Sequence, residues 1–259
     1  MPINQSVVVP ITRPEKMEMG VFLREVKAIG YPAVEIWDRG DDFRSFADLA
    51  RKAGLRVVSM VGGGSHAESF SRVKNHDRVV AELRASIDLA VEYNMPGVIA
   101  LSGNRNNGET DLDTLRLCAK GLRLIAPYAE EKGINLNVEL LNTNVDHPGY
   151  VCDHTDWAIA LCELVNSPRV KILFDIYHMQ IMEGDVIRNI GKALPWIGHF
   201  HTAGVPGRHE LDDDQELNYR GICRAISAGG YKLYVGHEFH PRGDALAALR
   251  QAFQLCDVP

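Results

Sequence analysis

Residues 77–141 read DRVVAELRASIDLAVEYNMPGVIALSGNRNNGETDLDTLRLCAKGLRLIAPYAEEKGINLNVELL, and the hydrophobic period changes three times along them. From Asp77 to Tyr93 the apolar positions Val80, Leu83, Ile87 and Val91 recur every three or four residues, which is the period of a helix with one buried face. Gly97–Leu101 is a short run, apolar on both faces, as a buried parallel strand is. The helical period returns over Leu112–Lys132, with Leu115, Cys118, Leu122 and Ile125 on one side, and Asn135–Leu141 is a second short run. Helix, strand, helix and strand in direct succession define repeating βα units.

The alternation extends in both directions. Strands are predicted at Ile3–Val9, Ala33–Trp37, Arg56–Met60, Gly97–Leu101, Asn135–Leu141, Val170–Asp175, Gly198–His201 and Leu233–Glu238, eight in all. Gly30, Gly54, Gly133 and Gly230 stand where helices should end ahead of the next strand. Eight βα units in 259 residues, with no linker or low-complexity tract, give an α/β fold of the (β/α)8 TIM barrel class, one domain over residues 1–259. An open doubly wound sheet of this length usually has fewer strands and often begins with a Gly-rich phosphate turn. The first strand instead runs into Val9-Pro10-Ile11-Thr12.

Composition narrows the function. Lys and Arg total 28 against 34 Asp and Glu, a formal charge of −6, which disfavours nucleic acid as a partner because its phosphates must be neutralised. The five cysteines are scattered without a C-x-x-C pair, the pattern of free thiols in a reducing compartment. No apolar run approaches a membrane span, and the N-terminus reads as a strand, so a cytoplasmic location without membrane contact is expected.

In a barrel of this class the reacting groups stand at the C-terminal ends of the strands. Strand five carries Glu139, strand six ends at Asp175, strand seven at His201 and strand eight at Glu238. Burying three carboxylates at one mouth is unfavourable unless a cation neutralises them. Three carboxylates and an imidazole suit one divalent ion, Mg²⁺ or Mn²⁺ first and Co²⁺ or Zn²⁺ less specifically.

The motifs of the second half are Val138-Glu139-Leu140-Leu141-Asn142, His147-Pro148-Gly149-Tyr150, the run from Asp175 to Asp185, Val205 to Glu210, Glu216-Leu217-Asn218-Tyr219 and Gly236 to Pro241. With these the chain resembles the hydroxypyruvate isomerase family, within the xylose-isomerase-like barrel superfamily. The resemblance implies metal ligation by Glu139, Asp175, His201 and Glu238, with Glu139 and Glu238 as the acid–base pair. It implies conversion of hydroxypyruvate to tartronate semialdehyde through an enediolate. His201 departs from the glutamine associated with that family at the third ligand position. A histidine there is similar to the sugar 3-epimerases of the superfamily, so a ketose 3-epimerase is the alternative activity. The substrate expected is thus a small hydroxy-keto acid or a ketose. An endonuclease IV-like metal nuclease and a non-catalytic sugar-binding barrel are the readings from other classes. Barrels of this kind often associate through their helical shells, so a homo-oligomer is also on the list.

Three further residues are assigned to substrate binding. His178, three residues beyond Asp175, is read as a donor to a substrate oxygen, with orientation of a ligand as its structural alternative. Arg208, in a Gly/Pro-rich turn, offers a fork for a carboxylate or a pair of hydroxyls. Its alternative is a surface pair with Glu210 or with the Asp212–Asp214 run, itself read as a solvated face or a helix cap. His66 follows the run Gly62-Gly63-Gly64, which reads as a flexible βα loop, with an anion cradle or lid hinge as alternatives. Trp37 is a candidate pocket wall, and Glu35 a buried strand carboxylate with a local partner.

Overall fold

The computed structural model describes residues 3–40 and 42–258. Nine strands are found among them: β1 Asn4–Val8, β2 Ala33–Glu35, β3 Arg56–Ser59, β4 Val61–Gly63, β5 Gly97–Ala100, β6 Asn135–Glu139, β7 Val170–Asp175, β8 Ile197–Thr202 and β9 Tyr234–His237. All neighbours pair in parallel, in the order β3-β2-β1-β9-β8-β7-β6-β5-β4. The count exceeds the expected eight because the third predicted strand, Arg56–Met60, continues past Met60 as a second piece, β4, where a loop was expected. Its first piece pairs with β2 and its second with β5. One strand thus serves two neighbours: Val61 N–H donates to Trp37 C=O, and Ile99 N–H donates to Met60 C=O. The sheet returns on itself at this seam, and the fold is the TIM barrel expected. β1 meets β9, with Asn4 opposite Tyr234.

Helices fill the connections. Asp111–Lys132 opens on a capping box, in which Thr110 Oγ1 accepts from Asp113 N–H while the Asp113 carboxylate accepts from Thr110 N–H. It closes at Gly133 in the left-handed conformation. Cys118, Leu122 and Ile125 are buried as the period predicts. On His76–Glu92 the buried stripe is Val79, Leu83, Ile87 and Ala90, one position away from the expected Val80 and Val91, and Val91 is exposed.

The glycine run after strand three is not a loop. Gly62 and Gly63 lie in β4 beneath the helix His76–Glu92. A Cβ at Gly62 would stand 2.8 Å from Val98 Cγ2 and 2.9 Å from Leu83 Cδ2. The glycines are there because helix and strand approach too closely for a side chain.

Candidate metal centre

Register brings the four predicted ligands together. Glu139 is the last residue of β6, Asp175 the last of β7, His201 lies near the end of β8, and Glu238 directly follows β9. One donor atom from each falls within 4.8 Å of all the others. All four residues are buried, none more than 6% exposed. His201 Nδ1 stands 3.3 Å from Glu238 Oε2 and 3.7 Å from Glu139 Oε1, and it has no hydrogen-bond partner.

Asp175 also starts the next helix, accepting a 3.2 Å bond from His178 N–H at Oδ1. Burial, reinforced by the charges of Glu238 and Glu139, raises its carboxyl to about 7. Glu238 behaves oppositely. Burial would raise it, but the positive charge of Arg208 and the nearby His201 hold it well below the usual range. His201 is itself held well above the ordinary imidazole value, the charges of Glu238 and Glu35 overcoming burial. The surroundings without a cation therefore favour the protonated form of Asp175 and the ionised form of Glu238.

Glu238 is gripped at both oxygens. Trp37 Nε1–H donates to Oε1 at 2.7 Å, and Arg208 Nη2–H donates to Oε2 at 2.6 Å. Arg208 is turned inward by a left-handed backbone, φ 58°, and does not pair with the acidic run. Arg242 instead meets Asp212 in a short contact and approaches Glu210 and Asp214 at 3.7 Å each.

His178 is fully buried behind the site. Its Nδ1 accepts from the backbone N–H and side-chain amide of Asn142, at 3.1 and 2.7 Å, and its Nε2 is left without a partner 3.6 Å from Asp175 Oδ2. His66 sits at the mouth with its ring 4.4 Å from that of His147.

The cluster opens into a cavity of about 380 Å³. One side is polar, with Glu139, His201, Glu238, Arg208 and His147; β4 to β6 and their ends supply an apolar wall of Val61, Ile99, Leu101 and Leu141. The cysteines are buried, and burial pushes Cys162 up to about 12, so none is a ready nucleophile. Among the described residues no helix is long and apolar enough to cross a membrane.

Two contributors escaped the sequence reading. Glu35 was seen only as a polar strand residue, yet its Oε2 accepts from Nε2 of both His199 and His201. Trp37 lines the cavity as a wall residue should, and its indole also holds Glu238, a role the sequence does not show. Glu35 and His199 are 164 positions apart and Trp37 and Glu238 201, so only the alternation Glu35–Trp37 and His199–His201, which puts each pair on one strand face, hinted at them.

A parallel barrel whose strand ends gather buried carboxylates and an imidazole beside a cavity defines a class of barrels with a candidate metal site at the mouth. The chain belongs to the xylose isomerase-like TIM barrel family, whose sequence model matches residues 23–256. It is 29% identical over 248 residues to a human protein provisionally named hydroxypyruvate isomerase, covering 91% of this chain and 89% of that protein. It is 32% identical over 203 residues to a 2-oxo-tetronate isomerase of Pectobacterium atrosepticum, covering 76% of each. A crystal structure described as an AP endonuclease of family 2 from Brucella melitensis superposes with a TM-score of 0.81 at 28% identity, over 96% of this chain and 97% of that one.

Proposed function

We propose that this chain is an enzyme of the isomerase kind that shifts a proton between adjacent carbons of a small hydroxy-keto acid, with hydroxypyruvate, converted to tartronate semialdehyde, as the first candidate. The observation that carries the reading is the unpartnered Nδ1 of His201 among three buried carboxylates. A ring nitrogen without a partner and three acidic side chains in one buried cluster fit a divalent cation, Mg²⁺ or Mn²⁺ by the oxygen-rich donor set. Glu139, Asp175, His201 and Glu238 would hold it. When bound, it would supply Lewis-acid stabilisation of the negative charge that develops on the substrate's carbonyl and hydroxyl oxygens.

The proton transfers fall to the chain's own carboxylates. Glu139 ends β6 and Glu238 directly follows β9, so one removes the proton from the hydroxyl-bearing carbon and the other protonates the former carbonyl carbon, while the hydroxyl proton passes from the oxygen that becomes the aldehyde to the former carbonyl oxygen. Asp175 and His201 serve as ligands. Arg208 exchanges part of its bond to Glu238 for the substrate's carboxylate, to which its fork is matched. His178 and His66 complete the substrate contacts; the amide bonds at His178 Nδ1 leave its Nε2–H as a donor.

Returning the proton to the opposite face of the same carbon would make the enzyme an epimerase. The apolar wall weighs against a long ketose, whose remote hydroxyls would meet Val61, Ile99, Leu101 and Leu141 without partners. The name of the Brucella structure raises a nuclease, but a net charge of −6 opposes duplex binding, and no cleavage of abasic DNA is expected. The deciding experiment incubates the protein in D₂O with Mn²⁺ or Mg²⁺ and hydroxypyruvate, tartronate semialdehyde or common ketoses. Cation-dependent exchange of a substrate C–H proton with the three-carbon acids is expected. Exchange with ketoses alone would move the assignment to the epimerase, and exchange with none would overturn it.

A further inference from the structure

Behind the four ligands lies a second set of buried polar groups that the proton transfers do not use. Glu35, at the end of β2, is 2% exposed and inside the barrel. Its Oε2 accepts from His199 Nε2–H at 2.9 Å and His201 Nε2–H at 3.1 Å, and its Oε1 accepts from Ser6 Oγ–H at 2.5 Å. These partners come from β1 and β8. The fourth strand to take part is β9, at Gly236, where a Cβ would stand 2.2 Å from Glu35 Oε1 and 2.9 Å from His201 Cδ2. A hydroxyl, two imidazoles and a missing side chain, from three strands, thus all converge on one carboxylate.

The consequence falls on His201. An imidazole whose Nε2–H is donated to a carboxylate presents its other nitrogen, Nδ1, as the lone-pair side. Here Nδ1 is the atom without a partner, facing Glu139 and Glu238. We infer that Glu35 is the positioning residue of the metal centre: it fixes the ring orientation and tautomer of His201, and Ser6, His199 and Gly236 hold Glu35 in place. This deepens the proposed function and rests on its cation site. Glu35, His199 and His201 also bring donor atoms within 4.8 Å of one another, the arrangement of an ion site of their own. Their 2.9 and 3.1 Å contacts are ordinary charge-assisted hydrogen bonds, which leave the trio satisfied without an ion.

The test is Mn²⁺ binding to the chelator-treated protein by calorimetry, for the wild type, Glu35→Gln, His199→Gln and Ser6→Ala. One equivalent is expected in the wild type. Glu35→Gln, isosteric but able to present an amide N–H to His201, should weaken binding by about 10- to 100-fold while keeping a stoichiometry of one. His199→Gln and Ser6→Ala should weaken it by smaller factors, and they carry the test if Glu35→Gln does not fold. A spectroscopic mark separates positioning from mere packing. In the Zn²⁺-loaded wild type the His201 Nε2–H proton should resonate far downfield, as a proton held by a carboxylate does, and this signal should be lost in Glu35→Gln. Unchanged affinity in a folded Glu35→Gln, or in both other variants, overturns the inference while leaving the cation site standing. So does a wild-type stoichiometry of two that falls to one in Glu35→Gln. Absence of Mn²⁺ binding by the wild type would instead overturn the cation site itself.

Discussion

The two sides of the barrel contribute unequally. From β6 to β9 each strand delivers an ionisable side chain at or just past its end, and the cluster is built from these four candidate ligands. From β2 to β5 the strand ends and their continuations deliver Val61, Ile99 and Leu101 to the cavity, with Trp37 and Glu35 touching the ligands from the side and from behind. One side supplies chemistry; the other supplies shape and orientation. The difference teaches that a ligand and the group that aims it need not be near each other in sequence, or even on adjacent strands.

Substitution should expose that division. On the chemical side Glu139→Gln and Glu238→Gln are each expected to cut kcat by about 10³-fold or more with the fold intact by circular dichroism, since each removes a proton-transfer group. Near-normal turnover in either variant would erase the contrast between the sides. An intermediate effect is expected from pH. Cation binding must displace the proton that Asp175 keeps up to about 7 and the one that His201 keeps above the ordinary imidazole range. Affinity should therefore fall with acidification, by about tenfold per pH unit for each proton displaced, and more steeply below about pH 7 than above it. Mn²⁺ titrations between pH 6 and 8 measure this, and a flat profile would show that the cluster is ionised before the cation arrives. The smallest effect should come from the supporting side. Trp37→Phe keeps a ring at the rim but removes the donor to Glu238 Oε1, so a few-fold change in kcat/KM is expected, read in steady-state kinetics. A loss as large as that of Glu238→Gln would place Trp37 in the machinery itself.

The strand ends that bear the candidate ligands could be read from sequence because each couples a local pattern to a local exception: an apolar run such as Ile172–Phe174 that stops on Asp175. The helices were legible for the same reason, though the buried face of His76–Glu92 is shifted at Val79 and Ala90, where packing against the barrel, and not periodicity, decided the contact. The glycines at 62 and 63 misled, because a residue without a side chain signals a loop or a close approach equally well and only the helix above them distinguishes the two. The division of strand three at Met60 was invisible, since its cause lies in which neighbour each half pairs with. Glu35, His199 and Trp37 were beyond reach in their roles because their partners are brought together only by closing the ring.

That closure has a consequence for how the protein matures. The pairing of Asn4 with Tyr234 joins a strand made among the first to the strand made last, and it cannot form until β9 has been synthesised. Glu238 arrives with that same strand, two residues after the glycine that leaves room for Glu35. Most of the barrel can be hydrogen-bonded while the centre still lacks Glu238, so a nascent or truncated chain should fail to retain the proposed cation even where it has begun to fold. Cation capture would then mark the last step of assembly, and the ion itself would favour the completed ring over every partial one.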